Sequence, residues 1–328
     1  MQNYCTLFNS IYLSRGLAMY RSLEQHASNF HLYIFAFDDD CYTLLQEMKL
    51  AHATIISLRE FEDEALLAVK PTRTAGEYCW TCTPATIWYC LHHFSLDHCT
   101  YIDADLLFFS DPKVLLDEMG DKAVLITAHR YSPRHDQSAL SGIYCVQFIT
   151  FKNDPQGLTA LDWWRKACID WCYNRFEQGK FGDQKYLDDW TTRFEGVHVL
   201  QHHGGGVAPW NNTAYEYEKR GTDVRISYHN TAYSLVFYHF HDFKYCEKNI
   251  VRLTSHQYEV NKKAVWLVYR PYLRAIIGAE KEILHRSGTI AFHERPDTLS
   301  WFKRKFGRQL SFALRGFYKN YYKRSRLK

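Results

Sequence analysis

Residues 101–109 have the sequence Tyr-Ile-Asp-Ala-Asp-Leu-Leu-Phe-Phe, an apolar segment interrupted by two acids. Side chains at positions i and i+2 of an extended segment point the same way, so Asp103 and Asp105 can face one cation. Mg²⁺ and Mn²⁺ favour carboxylate oxygen, and a diphosphate can supply further ligands. Two solvated turn acids are the alternative, because a D-x-D triplet is common by chance. The apolar strand before the acids and Asp111-Pro112 after them favour a metal site.

The segments before this strand predict a doubly wound α/β sheet. Strands are expected at 4–8, 31–37, 53–58 and 99–103, and helices at 12–26 and 41–50. This alternation of strand and helix is the usual beginning of a nucleotide-binding sheet. Thr83-Pro84 looks like an N-cap followed by proline at the first helical position, which predicts a helix from there to about residue 94.

The segments after the acidic strand continue the α/β pattern. Strands are expected at 123–128, 144–151, 197–201, 225–228 and 235–239, and a long amphipathic helix at 158–178. The glycines of 202–206, His-His-Gly-Gly-Gly, predict a mobile loop suited to closure over a ligand, with a plain surface loop as an equal alternative. Beyond residue 255 the pattern is helical and increasingly basic. We therefore divide the chain into a catalytic domain, 1–250, and a helical basic-aromatic region, 251–328.

Two later segments carry side chains suited to the same site. Residues 235–242, Leu-Val-Phe-Tyr-His-Phe-His-Asp, place His239 and His241 at the end of an apolar strand, and imidazole is a suitable further ligand for Mn²⁺. The sequence Phe181-Gly182-Asp183-Gln184 precedes a predicted helix, which Asp183 can cap. Gln184 then lies in the first turn, near the same cleft.

Taken in order, these segments resemble the A-type glycosyltransferase (GT-A) fold, most closely the retaining enzymes of glycosyltransferase family 8 and their bacterial relatives, over about residues 4–245. The resemblance is carried by Asn9-Ser10-Ile11-Tyr12, Asp103-Ala104-Asp105, Gly182-Asp183-Gln184 and the strand that ends with His239. It implies a Rossmann-like nucleotide-diphospho-sugar transferase fold of the α/β class, with a C-terminal helical basic extension.

The resemblance also implies the metal ligands. Asp103 and Asp105 match the acids that hold Mn²⁺ or Mg²⁺ against the donor diphosphate. His239 is the first choice for the third protein ligand and His241 is the second. The family histidine usually stands in a His-x-x-Gly setting, and here Asp242 occupies the position of that glycine.

The remaining roles implied by the resemblance concern the donor. Tyr12 matches a residue that packs on the nucleobase, Asn9 lies near the base edge, and Lys244 is a candidate phosphate contact. Asp183 and Gln184 line the sugar pocket under the anomeric carbon, where the Gln184 amide oxygen can stabilise or position an oxocarbenium-like centre. A retaining outcome follows from the resemblance alone, whereas in an inverting enzyme Asp183 or Asp188 could act as the base.

The cysteine pattern favours a reduced, cytoplasmic protein. The chain has 10 cysteines, mostly in apolar segments where a thiol acts as a small hydrophobe. The first residues lack the basic and long apolar regions of a signal peptide, and the apolar runs are too short for a membrane span. Cys79 and Cys82 have C-x-x-C spacing, but the absence of a second pair at zinc-site distance disfavours a zinc or redox role.

The net charge of +4 hides an asymmetry between the ends of the chain. Residues 301–328 contain ten Lys or Arg and no acid, so residues 1–300 carry 30 basic and 36 acidic residues, a net charge of −6. Aromatic and aliphatic residues recur in this tail at helical spacing, which predicts a helix over 300–328 that lies on an anionic membrane surface. Nucleic-acid binding, which we disfavour, and docking on the protein's own core are the alternatives.

The sequence thus predicts a metal-dependent, retaining glycosyltransferase. Its expected donor is a nucleotide sugar of the hexose type, with UDP as the favoured nucleotide. The expected acceptor is a glycan or lipid-linked molecule in surface polysaccharide or lipopolysaccharide assembly, at the inner face of the cell membrane. One alternative is a metal-dependent nucleotidyltransferase or phosphohydrolase, which would also use paired acids. Another is a non-enzymatic basic protein that binds membranes.

Overall fold

A computed structural model describes residues 1–288, 296–297, 310, 313 and 318–327. In chain order the strands are β1 (Gln2–Phe8), β2 (Phe30–Ala36), β3 (Ala53–Ser57), β4 (His98–Ile102), β5 (Leu106–Phe108), β6 (Val124–Ala128), β7 (Tyr144–Lys152), β8 (Val197–Val199), β9 (Glu216–Arg220), β10 (Asp223–Tyr228), β11 (Thr231–Ser234), β12 (Phe237–His239), β13 (Lys244–Cys246), β14 (Ile250–Arg252) and β15 (Tyr321–Lys323).

The helices alternate with these strands through the first half of the chain. They are α1 (Leu13–His26), α2 (Asp39–Met48), α3 (Leu58–Phe61), α4 (Glu64–Val69), α5 (Ala75–His93), α6 (Lys113–Met119), α7 (Ser138–Ser141), α8 (Pro155–Asp170), α9 (Trp190–Arg193), α10 (Lys262–Ala264), α11 (Arg270–Ser287) and α12 (Arg324–Leu327). Short 3₁₀ segments occur at Ser10–Tyr12, Lys70–Thr72, Pro133–His135, Lys185–Asp189 and Asn212–Ala214, and a π-helical segment at Val265–Tyr269.

The central sheet has seven strands in the order β3-β2-β1-β4-β7-β6-β8. Neighbours are parallel except at β7, which is antiparallel to both β4 and β6. As a result β1, β4 and β6 all end at one edge of the sheet, and β7 begins there. Ligands of open α/β sheets bind outside this edge, so the topology already locates the cleft.

Two helical layers cover the sheet, which is why its strands are almost continuously apolar. One face packs against α1, α2 and α11 through a core that includes Leu17, Leu45 and Ile283. The other packs against α5 and α8, where Trp164 and Trp190 are fully buried. The predicted α/β class and the strands of its first half are confirmed. Among the described residues, more than half of the aromatic side chains are buried.

The start of α5 differs from the prediction, because the helix begins at Ala75 and not at Thr83-Pro84. Thr74 forms a capping box with Glu77: its side chain accepts from the Glu77 N–H, and the Glu77 carboxylate accepts from the Thr74 N–H at 2.8 Å. Pro84 lies inside the helix, where the missing N–H costs about 3 kcal/mol. Packing of α5 between the sheet and α8 offsets this cost, and periodicity alone does not reveal that packing.

The predicted helix at 158–178 is also shorter in the structure. It begins at Pro155, where Asp154 accepts from the Gly157 N–H as an N-cap, and it ends at Asp170. At Trp171 the backbone turns to an extended conformation with φ −153° and ψ 119°. Trp171 is 8 % exposed, so the chain leaves the helix at this residue and buries the indole in the core.

The glycine-rich segment 202–206 is packed into the protein, which contradicts the predicted mobile loop. Gly204, Gly205 and Gly206 are buried, and the Gly204 carbonyl accepts from the Val236 N–H at 2.9 Å. A Cβ on Gly204 would lie 2.0 Å from the Ser234 carbonyl oxygen. These glycines therefore allow close approach of two backbones and do not provide a flexible lid.

The C-terminal part of the described chain packs on the α/β core. Helix α11 lies against α1, and β13, β14 and β15 form a three-stranded antiparallel sheet. The predicted division at 250/251 falls inside β14. Of the predicted basic helix, 300–328, the structure describes residues 310, 313 and 318–327. Tyr321–Lys323 form strand β15 there, so the helix prediction is wrong for this segment, which pairs with β14 instead. Among the described residues, every helix is too short or too polar to traverse a bilayer. All ten cysteines are free thiols.

Candidate metal centre

A cleft of about 760 Å³ opens at the edge of the sheet where β1, β4 and β6 end. Asn9 and Tyr12 line it after β1, and Asp103 and Asp105 line it after β4. His239 enters the same cleft from the end of β12. These segments therefore meet in one place, although the first and the last of them are more than 200 residues apart in the sequence.

Asp103, Asp105 and His239 form a cluster at the bottom of this cleft. One ligand atom from each lies within 4.8 Å of the others. His239 Nε2 is 3.2 Å from Asp105 Oδ1 and 3.8 Å from Asp103 Oδ2. Two carboxylates and one imidazole suit Mn²⁺ and leave positions for phosphate oxygen and water. The residues present can thus bind a divalent metal.

Strand pairing explains why His239 reaches the two acids. β4 ends at Ile102, the turn 103–105 follows, and β5 starts at once. β5 pairs antiparallel with β12, which places His239 opposite Leu106. The Phe240 N–H donates to the Asp105 carbonyl at 3.0 Å, which extends the pairing of the two strands to the acidic turn. The pairing of these two short strands therefore holds His239 next to Asp103 and Asp105.

The electrostatics of the cluster are those of two acids that share one positive charge. Burial alone would raise the pKa of Asp105, but the charge and hydrogen bond of His239 lower this pKa to about 2. Burial raises the pKa of Asp103 to about 6, against the opposing charge of His239. The pKa of His239 is well above its usual value, since the attraction of Asp105 overcomes the effect of burial. A bound cation would take over the neutralising role of the imidazolium.

His241, the second choice as a ligand, lies outside this cluster. Its ring centroid is 5.8 Å from that of His239, and its side chain is exposed within the cleft. Trp210 packs edge-on against both imidazoles, at 5.4 Å from His239 and 5.7 Å from His241. Of the two histidines, His239 is the one that the fold brings to the acids.

Three residues of this region were not predicted from the sequence. Gln147 on β7 accepts a hydrogen bond from His239 Nδ1 at 2.8 Å. Trp210 is fixed by its indole N–H, which donates to the His129 carbonyl at 2.9 Å. His129 follows β6, is 3 % exposed, and burial lowers its pKa to about 3. Nothing in the local sequence distinguishes Gln147 from other polar strand residues, although the position of His129 at a strand end is a usable signal.

The first turn after β1 lies on the other side of the cleft. Asp38 accepts from the Ser10 N–H at 2.9 Å and from its hydroxyl at 2.8 Å, which fixes the turn 9–12. Tyr12 then lines the cleft, with the Arg15 guanidinium 4.4 Å from its ring centroid. Lys244, the predicted phosphate contact, lies on β13 and is not among the residues that line the cleft.

Asp183 and Gln184 line the cleft on a third side. The predicted N-cap of Asp183 does not form, since the following 3₁₀ segment, Lys185–Asp189, has no side-chain cap. Asp183 is instead 6 % exposed, and burial, with the charge of Asp103, raises its pKa to about 7. The Gln184 amide nitrogen donates to the Ser141 carbonyl at 2.8 Å, which leaves the amide oxygen for a ligand.

This fold matches that of a solved glycosyltransferase. The galactosyltransferase LgtC, determined in complex with donor and acceptor sugar analogues, superimposes with a TM-score of 0.50 at 10% identity, covering 84% of this chain and 96% of LgtC. The chain therefore has the GT-A glycosyltransferase fold that the sequence predicted.

Sequence comparison identifies the family. The chain is 30% identical over 308 residues to the uncharacterized protein YfnD of Bacillus subtilis (strain 168), covering 90% of this chain and 97% of YfnD. It is also 30% identical over 282 residues to the uncharacterized protein YfnF of the same strain, covering 84% and 92%. No family model matches the sequence. The protein belongs to the family that includes YfnD and YfnF.

Proposed function

We propose that this protein is a metal-dependent glycosyltransferase. It transfers a hexose-type sugar from a nucleotide-diphosphate sugar, with UDP as the expected nucleotide, to a glycan or lipid-linked acceptor. The observation that carries the proposal is the cluster of Asp103, Asp105 and His239 at the bottom of the cleft, in a chain with the GT-A fold. A diphosphate held there would extend towards Tyr12 on one side and towards Asp183 on the other.

The two acids and His239 would hold Mn²⁺ or Mg²⁺, which when bound supplies Lewis-acid stabilisation of charge on the leaving diphosphate. Tyr12 offers a ring for the nucleobase, and Asn9 lies beside it. Lys244 would reach phosphate only through a rearrangement, so it is the weakest of the proposed contacts.

The sugar would lie over Asp183 and Gln184. A carboxyl with a pKa near 7 can donate to or accept from a sugar hydroxyl, so Asp183 suits donor positioning. The Gln184 amide oxygen would stabilise positive charge at the anomeric carbon, because the amide nitrogen is committed to Ser141. We propose a retaining outcome, as in the glycosyltransferase family 8 enzymes that the motifs resemble. NMR of the new linkage tests this, since an anomer opposite to that of the donor would contradict it.

Calorimetric titration with nucleoside diphosphates tests the proposal directly. UDP, GDP, ADP and CDP are titrated with and without Mn²⁺, and one of them should bind much more tightly with the metal. A screen of nucleotide sugars for slow, metal-dependent hydrolysis then identifies the donor, and the released products identify the reaction. Release of free sugar with an intact nucleoside diphosphate supports sugar transfer. Release of a nucleoside monophosphate would indicate a nucleotidyltransferase or phosphohydrolase instead.

We also propose the cellular setting. The catalytic domain, 1–250, would act in surface polysaccharide or lipopolysaccharide assembly at the inner face of the cell membrane. Region 251–328, with its basic segment 300–328, would contact anionic lipid or the acceptor. Ten cations without an acid in residues 301–328 support this placement. Sedimentation with anionic liposomes tests it, because deletion of 300–328 should abolish binding.

A further inference from the structure

Gln147 connects two of the elements that build the metal centre. It lies on β7, the strand that is antiparallel to β4, and its side chain is fully buried. Its carbonyl oxygen accepts from the Asp103 N–H at 3.1 Å, at the point where β4 gives way to the acidic turn. Its side-chain oxygen accepts from His239 Nδ1 at 2.8 Å. One residue therefore contacts both the acidic turn and the histidine.

The hydrogen bond to Nδ1 determines which nitrogen of His239 faces the acids. With Nδ1–H donating to Gln147, Nε2 is the nitrogen that points at Asp105, at 3.2 Å. An imidazole ligand needs one nitrogen unprotonated toward the cation and a partner for the other nitrogen, and that partner sets the tautomer and the ring orientation. The neutral amide supplies such a partner without adding a third negative charge beside Asp103 and Asp105.

Fold stability does not account well for glutamine at this position. The Gln147 amide nitrogen is buried and has no hydrogen-bond partner among the described residues. A buried donor without a partner is unfavourable, so an apolar side chain of similar size would suit the surrounding core better. The amide oxygen is the useful atom, because it accepts from His239 Nδ1.

We propose that Gln147 is a positioning residue, which holds His239 in the Nδ1–H tautomer with Nε2 directed at the cation. The proposal rests on the proposed function, because it assumes that Asp103, Asp105 and His239 bind a divalent metal. It assigns to Gln147 no contact with substrate. Removing the acceptor should therefore weaken metal binding while the fold is retained.

The test compares Mn²⁺ affinity, measured by calorimetry on the full chain with a saturating nucleoside diphosphate, across four variants. Gln147→Leu and Gln147→Asn remove the acceptor or pull it out of reach, and should weaken Mn²⁺ binding about 10- to 100-fold. Gln147→Glu keeps an acceptor for Nδ1–H, although it adds a negative charge, and should bind Mn²⁺ more tightly than Gln147→Leu and Gln147→Asn do. The matched control is Thr150→Val, which removes the buried Thr100–Thr150 hydrogen bond of 2.8 Å on the same strand. This control should change the melting temperature but not the affinity.

Each outcome has a separate meaning. A wild-type protein that binds no Mn²⁺ overturns the proposed function itself. Normal wild-type binding with unchanged affinity in both Gln147→Leu and Gln147→Asn overturns the role of Gln147 alone. An equal loss in Thr150→Val, or no recovery in Gln147→Glu, shows that the effect is structural and also overturns it. If Gln147→Leu does not fold, the shorter amide of Gln147→Asn decides.

Discussion

Replacing Asp105 with asparagine tests the metal centre at the atom that the structure places nearest to His239. The change keeps the size and shape of the side chain and removes one negative charge. The Asp105 side chain is 15% exposed, so an effective dielectric constant of about 20 applies, and two unit charges 4 Å apart then interact by about 4 kcal/mol.

Only part of this energy is lost in Asp105→Asn, because the amide oxygen remains a weak neutral ligand. We expect a loss of roughly 2–3 kcal/mol, which is about 30- to 150-fold in Mn²⁺ affinity. Calorimetry of Mn²⁺ binding with a saturating nucleoside diphosphate measures it. Asp117→Asn is the matched control, because it removes the same charge from an exposed ion pair with Lys113. Unchanged affinity in Asp105→Asn, or an equal loss in Asp117→Asn, would refute the assignment of the metal to this cluster.

The other predictions concern single elements of the site and the fold. His239→Ala should lower Mn²⁺-dependent donor hydrolysis at least about 100-fold, whereas His241→Ala should lower it less than about 10-fold; the reverse order would exchange their roles. Thr74→Ala removes the cap of α5 and should lower the free energy of unfolding by about 1 kcal/mol, measured in urea. Gly204→Ala should destabilise by about 2 kcal/mol or more, because its Cβ would lie 2.0 Å from a backbone oxygen. Gly278→Ala, in an open position on α11, should instead stabilise by about 0.5–1 kcal/mol; equal effects of the two would contradict the packing argument.

The sequence was most informative where the relevant physics is local. Alternating and helical periodicities placed the first strands and helices within a few residues, because they reflect which faces of each element are buried. The D-x-D spacing predicted that Asp103 and Asp105 can face one cation; the structure brings them together in the turn 103–105 and not in an extended segment. The predicted start of α5 at Thr83-Pro84 was wrong, because the capping box of Thr74 and Glu77 begins the helix about ten residues earlier.

Glycine was the second source of error. The sequence Gly204–Gly206 was interpreted as a flexible loop. In the structure these glycines are packed so closely that a Cβ at any of them would clash with neighbouring atoms. The two meanings of glycine, flexibility and close approach, cannot be separated without knowing what lies opposite. Only the tertiary structure shows which atoms lie opposite each glycine.

The sequence by itself determined the α/β class, the acidic turn and the candidate histidines, since each depends on residues a few positions apart. Only the tertiary structure decided that His239 joins Asp103 and Asp105, because the β5–β12 pairing connects segments about 130 residues apart. Only the tertiary structure revealed Gln147, whose hydrogen bond to His239 spans 92 positions of the chain. Long-range register depends on the packing of the whole sheet, and no local pattern encodes it.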